Sequence, residues 1–547
     1  MFAAPAAKPA DRRDALLWLF GLLLLALVPI GRVSGDGLGY ARSFLNGDWH
    51  WNPNHLLFEP TGAAWLWLLG RMGCSRPAVD QLKLLSIGAG ALGAGLFRWS
   101  VAGRLAPGRR SANYATAAFV LGAAYLHLLV DDESHMIQMP FLVAFAAAVL
   151  RCLERPSLLR AITAGALAGG AALCFVSNVL LGGLAGVALI GWHLFRGEGR
   201  AAVRMGAGIL AGLLLVTGSV LIPTWALVRP GRPLHAWLLG YAGGEMPARL
   251  GRVYGIHWTA GGVVEAAGRA VYGAASAAVD LAPAVAAVRD VGAMGRGGLI
   301  ALVWLLGAAA LGGGLWSAWR RRDHRVLLLQ AIWWPAVLGF GLFWNNSEDQ
   351  FYLPLAVAFG ALAAGLPALP RGARGLLLCG AAALAWNTGD LLARYVLYPR
   401  AEWTAALLRE VRGACLVVAP GWDDASRLLD LAGRQVPADQ VTLTDLAARL
   451  PADRGLPRLA AALERCRAAG GRSDLVEIFD TPPRQFPWKF LRELGYERAA
   501  VERTIGALGV DPRPRSAGPF RVRSIRPSPK SAISNPSLGK TPGSSVQ

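Results

Sequence analysis

Eleven apolar runs divide most of this chain, each near the length a helix needs to cross a bilayer. They are Asp14 to Val33, Gln81 to Ala102, Asn113 to Val130, Met136 to Leu153, Leu158 to Val176, Val179 to Leu194, Ala202 to Leu227, Gly297 to Trp319, Val326 to Trp344, Phe351 to Leu369 and Gly375 to Leu392. About 20 apolar residues cover the hydrocarbon core, where a backbone can satisfy its polar groups only internally. The runs therefore predict an α-helical polytopic membrane protein with about 11 transmembrane helices. Composition excludes the soluble alternative, because 54% hydrophobic against 16% charged residues leaves too little polar surface for 547 residues.

Basic residues predict the sidedness. Arg12 and Arg13 precede the first run, and Arg104, Arg109 and Arg110 follow the second. Arg151, Arg155 and Arg160 follow the fourth, Arg196, Arg200 and Arg204 the sixth, Arg320, Arg321, Arg322 and Arg325 the eighth, and Arg371 and Arg374 the tenth. Every second loop is basic, which places those loops in the cytoplasm. The net charge of +20 is thus the signature of loops facing anionic lipid, and no nucleic-acid partner is expected. Arg71, Arg76 and Lys83 run against the rule and are outvoted. The first run lacks a small-residue cleavage site and is read as an uncleaved helix. The opposite, outward loops are Gly35 to Pro60, Asp131 to His135, Val228 to Arg296 and Asn345 to Gln350. Glu59 to Cys74, with Trp65 and Trp67, is too short to span and is expected to lie on the outer surface.

After Leu392 the texture changes to short strands and charged helices, such as Ala414 to Ala419 then Asp423 to Ala432, and Asp474 to Asp480 then Pro487 to Leu494. The expected organisation is a membrane domain over 1–398, a small extracytoplasmic α/β domain over 399–525 and a disordered tail over 526–547. Cys415 and Cys466 share that domain; pairing and two free thiols are equally compatible with the sequence. In the second run, Gly88, Gly90 and Gly93 spell GxGxxG, but no strand precedes them, so they read as close helix packing and not as a dinucleotide loop.

The outward loops hold the residues that carry chemistry. Asp36, between Gly35 and Gly37, stands at the exit of the first run as a candidate general base; the plain alternative is an acid that caps a helix. Tyr40 and His55 follow in the same stretch, while Asp48 also suits an ordinary turn. Asp131, Asp132 and Glu133, with His135 beside them, form a second acidic turn, whose like charges need donors or a cation among them. Glu348 and Tyr352 belong to a third turn, EDQFYLP. Arg252, in the long outer loop, is the candidate partner of a lipid phosphate. A divalent cation is compatible with these acids and histidines, but no ligand spacing fixes one, so no metal ligand is assigned.

Three sequence features resemble the membrane-embedded GT-C glycosyltransferases, which include protein mannosyltransferases and lipid A aminoarabinose transferases. They are the acid after the first helix (Asp36) with HLLFEPTGAAWLWLLGRMG (His55 to Gly73), the acidic turn before the fourth helix, and EDQFYLP (Glu348 to Pro354). Their order and sidedness carry the likeness, which covers Leu16 to Leu392. The resemblance implies a polyprenyl-phosphate sugar as donor, an extracytoplasmic glycan, lipid or protein as acceptor, Asp36 as the base that activates it, and the Asp131 to Glu133 turn as a neighbour of the reacting sugar. It departs where Gln350 replaces a commonly basic residue and where a single acid, Asp36, replaces the pair of some members. Two other classes fit the composition: a transporter or flippase of lipid-linked saccharides, which calls for ionisable groups at mid-membrane and broken helices, and a membrane scaffold displaying the C-terminal domain.

Overall fold

Proline and glycine decide where the apolar runs become helices. The computed structural model describes residues 9–47, 51–132, 134–228, 231, 233–238, 259–278, 312, 315–316, 318–320, 322–344, 349–364, 389, 391–421, 427–429, 439–477 and 488–525. The chain divides into two units, Met1–Tyr398 and Pro399–Gln547.

In the first unit, helix α1 (Pro9–Leu23) passes into a 3₁₀ turn, Leu24–Leu27, and stops. Pro29 forces the residue before it out of the helical region, and Val28 is extended at ψ 130°. The run expected to continue to Val33 therefore ends early. The stretch Gly35 to Pro60, read as a loop, also differs: Gly35–Asn46 is helix α2, begun by the Ser34 hydroxyl, which accepts the Gly37 N–H at 2.8 Å, and ended by Gly47 at φ 68°. Capping and packing outweigh the low helix propensity of its glycines. Helix α3 (Phe58–Arg71) has 14 residues and keeps the short surface helix expected there.

Helix α4 (Ala78–Leu105) is long and apolar enough to span, and its turn Phe97–Ala102 is π-helical. A side chain at Gly90 would strike Leu129, and one at Gly93 would press on Met139, so the GxGxxG match is a packing surface. The third run splits into α5 (Arg109–Val120) and α6 (Ala123–Leu129), which meet at 68°. Helices α7 (Met139–Glu154), α8 (Leu158–Cys174), α9 (Val179–Phe195) and α10 (Gly199–Val228) follow. Backbones of α8 and α10 touch directly: a Cβ at Gly165 would collide with the Ile209 carbonyl, and one at Gly212 with the Ile162 carbonyl. Then come α11 (Leu234–Leu238), α12 (Ala260–Ala278), α13 (His324–Trp344) and α14 (Leu355–Ala363). Among the described residues five helices can cross a membrane by length and composition, or six if the bent pair is one span. Most of Gly297 to Trp319 and Gly375 to Leu392 lies outside the described residues.

Arginine-rich segments meet at one end of this unit. Arg109 grips Asp14 through Nε (2.7 Å) and a terminal nitrogen (2.6 Å), and the buried Arg98 adds a bond at 2.8 Å. Arg104 pairs with Glu154 at 2.7 Å, and Arg325 donates to the Arg104 carbonyl at 3.0 Å. Each buried charge here is paired, as a low-dielectric interior requires.

The second unit opens with α15 (Arg400–Glu410) and holds a mixed five-stranded sheet. With β1 Ala414–Ala419, β2 Asp439–Thr442, β3 Arg472–Val476, β4 Arg515–Ala517 and β5 Phe520–Ile525, the spatial order is β2-β1-β3-β5-β4. The first three strands are parallel and the last two antiparallel, with Asp474 opposite Ser524. Helices α16 (Leu443–Arg449), α17 (Ala452–Ala468), α18 (Trp488–Glu493) and α19 (Arg498–Gly506) separate the strands, in the alternation read from the sequence. Cys415 and Cys466 form a disulfide, their Cα atoms 5.9 Å apart. The tail 526–547 lies outside the described residues.

Candidate active site

Asp131 and Asp132 of the second acidic turn are buried, which a run of acids does not suggest. Asp131 is 4% exposed and Asp132 not at all. Each carboxylate is held by donors from a different part of the chain. Asp131 Oδ1 accepts the Asp132 N–H at 2.8 Å, and its Oδ2 stands 3.3 Å from His127 Nε2. Asp132 Oδ1 accepts the Ser34 N–H at 2.8 Å, whereas its Oδ2 has no donor among the described residues. A Cβ at Gly37 would overlap the Asp132 carboxyl, so the first turn of α2 rests directly on this acid.

These environments push two adjacent carboxyls apart. Burial would raise Asp131, but His127 and the Asp132 hydrogen bonds outweigh it and hold Asp131 well below the usual carboxylate range. Burial and the Asp131 charge hold Asp132 well above that range, against the opposing pull of Lys83 and the Ser34 N–H. The two neighbours are thus shifted in opposite directions, Asp131 toward its charged form and Asp132 toward its neutral one. Lys83 is 2% exposed and donates to the Ile30 carbonyl at 2.9 Å and to Asp80 at 3.2 Å.

Asp36 lies in the first turn of α2, next to Gly37, and is exposed. It is a helix residue and not a loop acid, and the helix N-terminus favours its charge. Tyr40, one turn on, meets Phe58 edge-on at 4.6 Å and so fixes α2 to α3. Behind the acids, His55 Nδ1 lies 3.3 Å from the Cys174 carbonyl and 3.1 Å from the Ser134 hydroxyl. Burial holds the His55 imidazole down at about 4, with the Cys174 carbonyl acting in the opposite sense. His135 meets the His55 ring at 5.1 Å, Phe175 at 5.0 Å and Phe351 at 5.9 Å, so the second and third turns pack together.

The first two acidic turns and the histidines thus share one end of the helices. Tyr352 is not a surface aromatic: it is fully buried, wedged against Gly273 of α12 and Gly341 of α13. Glu133, Arg252 and Glu348, with Asp48, lie outside the described residues. No cluster of three or more His, Cys, Asp or Glu residues arranged for a metal occurs among the described residues. Sequence reasoning passed over His127 and Ser34 and treated Lys83 only as an exception to the charge rule. That exception was the available signal, since a cation inside an apolar run calls for an anion. Glu59 was also missed; it is fully buried and accepts the N–H groups of Trp51 (2.8 Å) and Asn52 (3.4 Å), holding Trp51 at φ 48°.

Comparison with solved structures finds this fold again. The crystal structure of ArnT from Cupriavidus metallidurans bound to undecaprenyl phosphate is similar over 96% of this chain and 99% of that chain, with a TM-score of 0.51 and 13% identity. ArnT from the same organism in the apo state is similar over 94% and 98%, with a TM-score of 0.53 and 13% identity. No family model and no curated protein matches the chain.

Proposed function

We propose that this protein is an integral membrane glycosyltransferase that moves a sugar from a polyprenyl-phosphate donor to an extracytoplasmic acceptor. The observation that carries the reading is the split acid pair: Asp131 and Asp132 beneath the N-terminus of α2, with the buried Lys83 acting on Asp132 and Asp36 one residue from the contact. Transfer requires a carboxylate to take the acceptor's proton and a cation to stabilise the departing phosphate. Asp36 is the exposed, helix-stabilised carboxylate suited to the first task, and Lys83 the cation suited to the second. Asp132, shifted toward its neutral form by burial, is suited to donate a hydrogen bond to an oxygen of the sugar or phosphate. The likeness to a fold whose solved relative holds undecaprenyl phosphate supports a lipid donor. The Cys415–Cys466 disulfide supports an oxidising compartment for the C-terminal unit.

The test is transfer from undecaprenyl-phosphate-linked sugars by the purified protein. Asp36→Asn and Asp36→Ala are expected to lower kcat by about a thousandfold, the middle of the range for loss of a general base. Undiminished transfer by either would remove Asp36 from the role. The 68° break between α5 and α6 favours a second reading, transport of the lipid-linked saccharide, because broken spans line transporter sites. Uptake into vesicles without any covalent product would select it.

A further inference from the structure

A contact chain enters the acid pair from the far side of the site. His127 occupies the last turn of α6, with Nε2 3.3 Å from Asp131 Oδ2. Its ring meets Tyr395 edge-on at 5.3 Å, and the Arg32 guanidinium lies over the Tyr395 ring at 4.6 Å. Tyr395 is itself anchored, its carbonyl accepting the N–H groups of Gly31 (3.0 Å) and Arg32 (3.3 Å). From Asp131 the chain continues through the Asp132 N–H at 2.8 Å, and from Asp132 Oδ1 to the Ser34 N–H at 2.8 Å. Ser34 Oγ then accepts the Gly37 N–H at 2.8 Å, beside Asp36.

We propose that His127 is a positioning residue: clamped by Tyr395, it orients the Asp131 carboxylate, and through Asp131 and Asp132 it holds the N-terminal turn of α2 that carries Asp36. A solvent-exposed histidine–aspartate pair four residues apart on a helix would do little. Here both carboxyls are buried, so their orientation follows from the few donors that reach them, and removing one donor leaves an oxygen without compensation. His127 supplies two things at once, a flat ring that fits against Tyr395 and an N–H aimed at Asp131. Glutamine keeps the N–H and leucine keeps neither. Only the catalytic consequence rests on the glycosyltransferase reading; the mechanical one does not.

The experiment uses the full-length protein in lipid nanodiscs, as wild type, His127→Gln and His127→Leu. Hydrogen exchange across Ser34–Phe44 is followed by mass spectrometry, and kcat and KM are measured with undecaprenyl-phosphate-linked sugars. In His127→Leu the amides of the first turn of α2 should exchange about tenfold faster while α4 and α7 keep their protection. The same variant should lose about tenfold in kcat with KM nearly unchanged, and His127→Gln should recover most of both. Unchanged exchange in His127→Leu overturns the proposal, as does a loss of protection spread evenly over the helices that Gln fails to rescue. A wild type that transfers no sugar, with the local exchange effect still present in His127→Leu, would sink the transferase reading and leave the positioning role standing.

Discussion

Replacing Lys83 by methionine removes a buried cation that acts on Asp132 while keeping an apolar stem of similar length. The side chain is 2% exposed, and of the three donors an ammonium carries, one meets the Ile30 carbonyl at 2.9 Å and a second meets Asp80 at 3.2 Å. The third has no protein acceptor among the described residues, and the proposed function gives it a phosphate oxygen. A hydrogen bond to a charged group contributes roughly 1.5–3 kcal/mol net, and every 1.4 kcal/mol is about tenfold, so Lys83→Met should weaken binding of a lipid phosphate by about 10- to 150-fold. The packing cost of this volume-conserving change is about 1 kcal/mol, because Asp80 keeps contact with solvent. Lys83→Arg retains the charge but presents a planar fork where a compact ammonium fits, so it should recover only part of the loss. The assay is titration of the purified variants with undecaprenyl phosphate, beside melting curves that confirm folding and kcat/KM for transfer. A folded Lys83→Met protein that binds the lipid and turns over like wild type would refute the assignment of Lys83 to the phosphate.

Two further outcomes follow from buried charges. Asp474 in β3 is fully buried and bonded to Arg472 (2.9 Å), Arg515 (3.0 Å) and Ser524 (2.8 Å), so Asp474→Ala should destabilise the second unit by about 3 kcal/mol. That figure is the lower end for breaking a buried pair, because both arginines keep 34% side-chain exposure; denaturant melts that show no shift would contradict it. His55 is held near 4 in the folded protein against an ordinary value near 6.5, so the unfolded chain binds the extra proton between those values. Stability should therefore fall as pH drops from about 6.5 to about 4 and level off below, and His55→Asn should flatten that part of the melting profile.

The membrane class and the alternation of basic loops were legible because both depend on local composition repeated along the chain. So was the strand and helix alternation of the second unit, and so was the discounting of GxGxxG, since each rests on a periodic pattern of a few residues. The first outward stretch was misread for a physical reason. Three glycines in five residues, GDGLG, argue against a helix, but Ser34 caps it and a glycine at position 37 is what lets its first turn sit on Asp132. Tyr352 was misjudged in the opposite sense: an aromatic beside a polar turn suggests a binding surface, and only the glycines of two distant helices show that its ring is packed between them.

Sequence alone determined that this protein lies in a membrane, that its acids and arginines are segregated by loop, and that a separate α/β region follows. Those properties add up residue by residue and need no knowledge of neighbours in space. Tertiary structure alone decided that Asp131 and Asp132 are buried and shifted in opposite directions, that His127 meets Asp131, and that Cys415 and Cys466 are joined. A carboxyl's protonation depends on burial and on donors, and here one donor, the Ser34 N–H, comes from 98 residues away. No local pattern encodes a contact of that range.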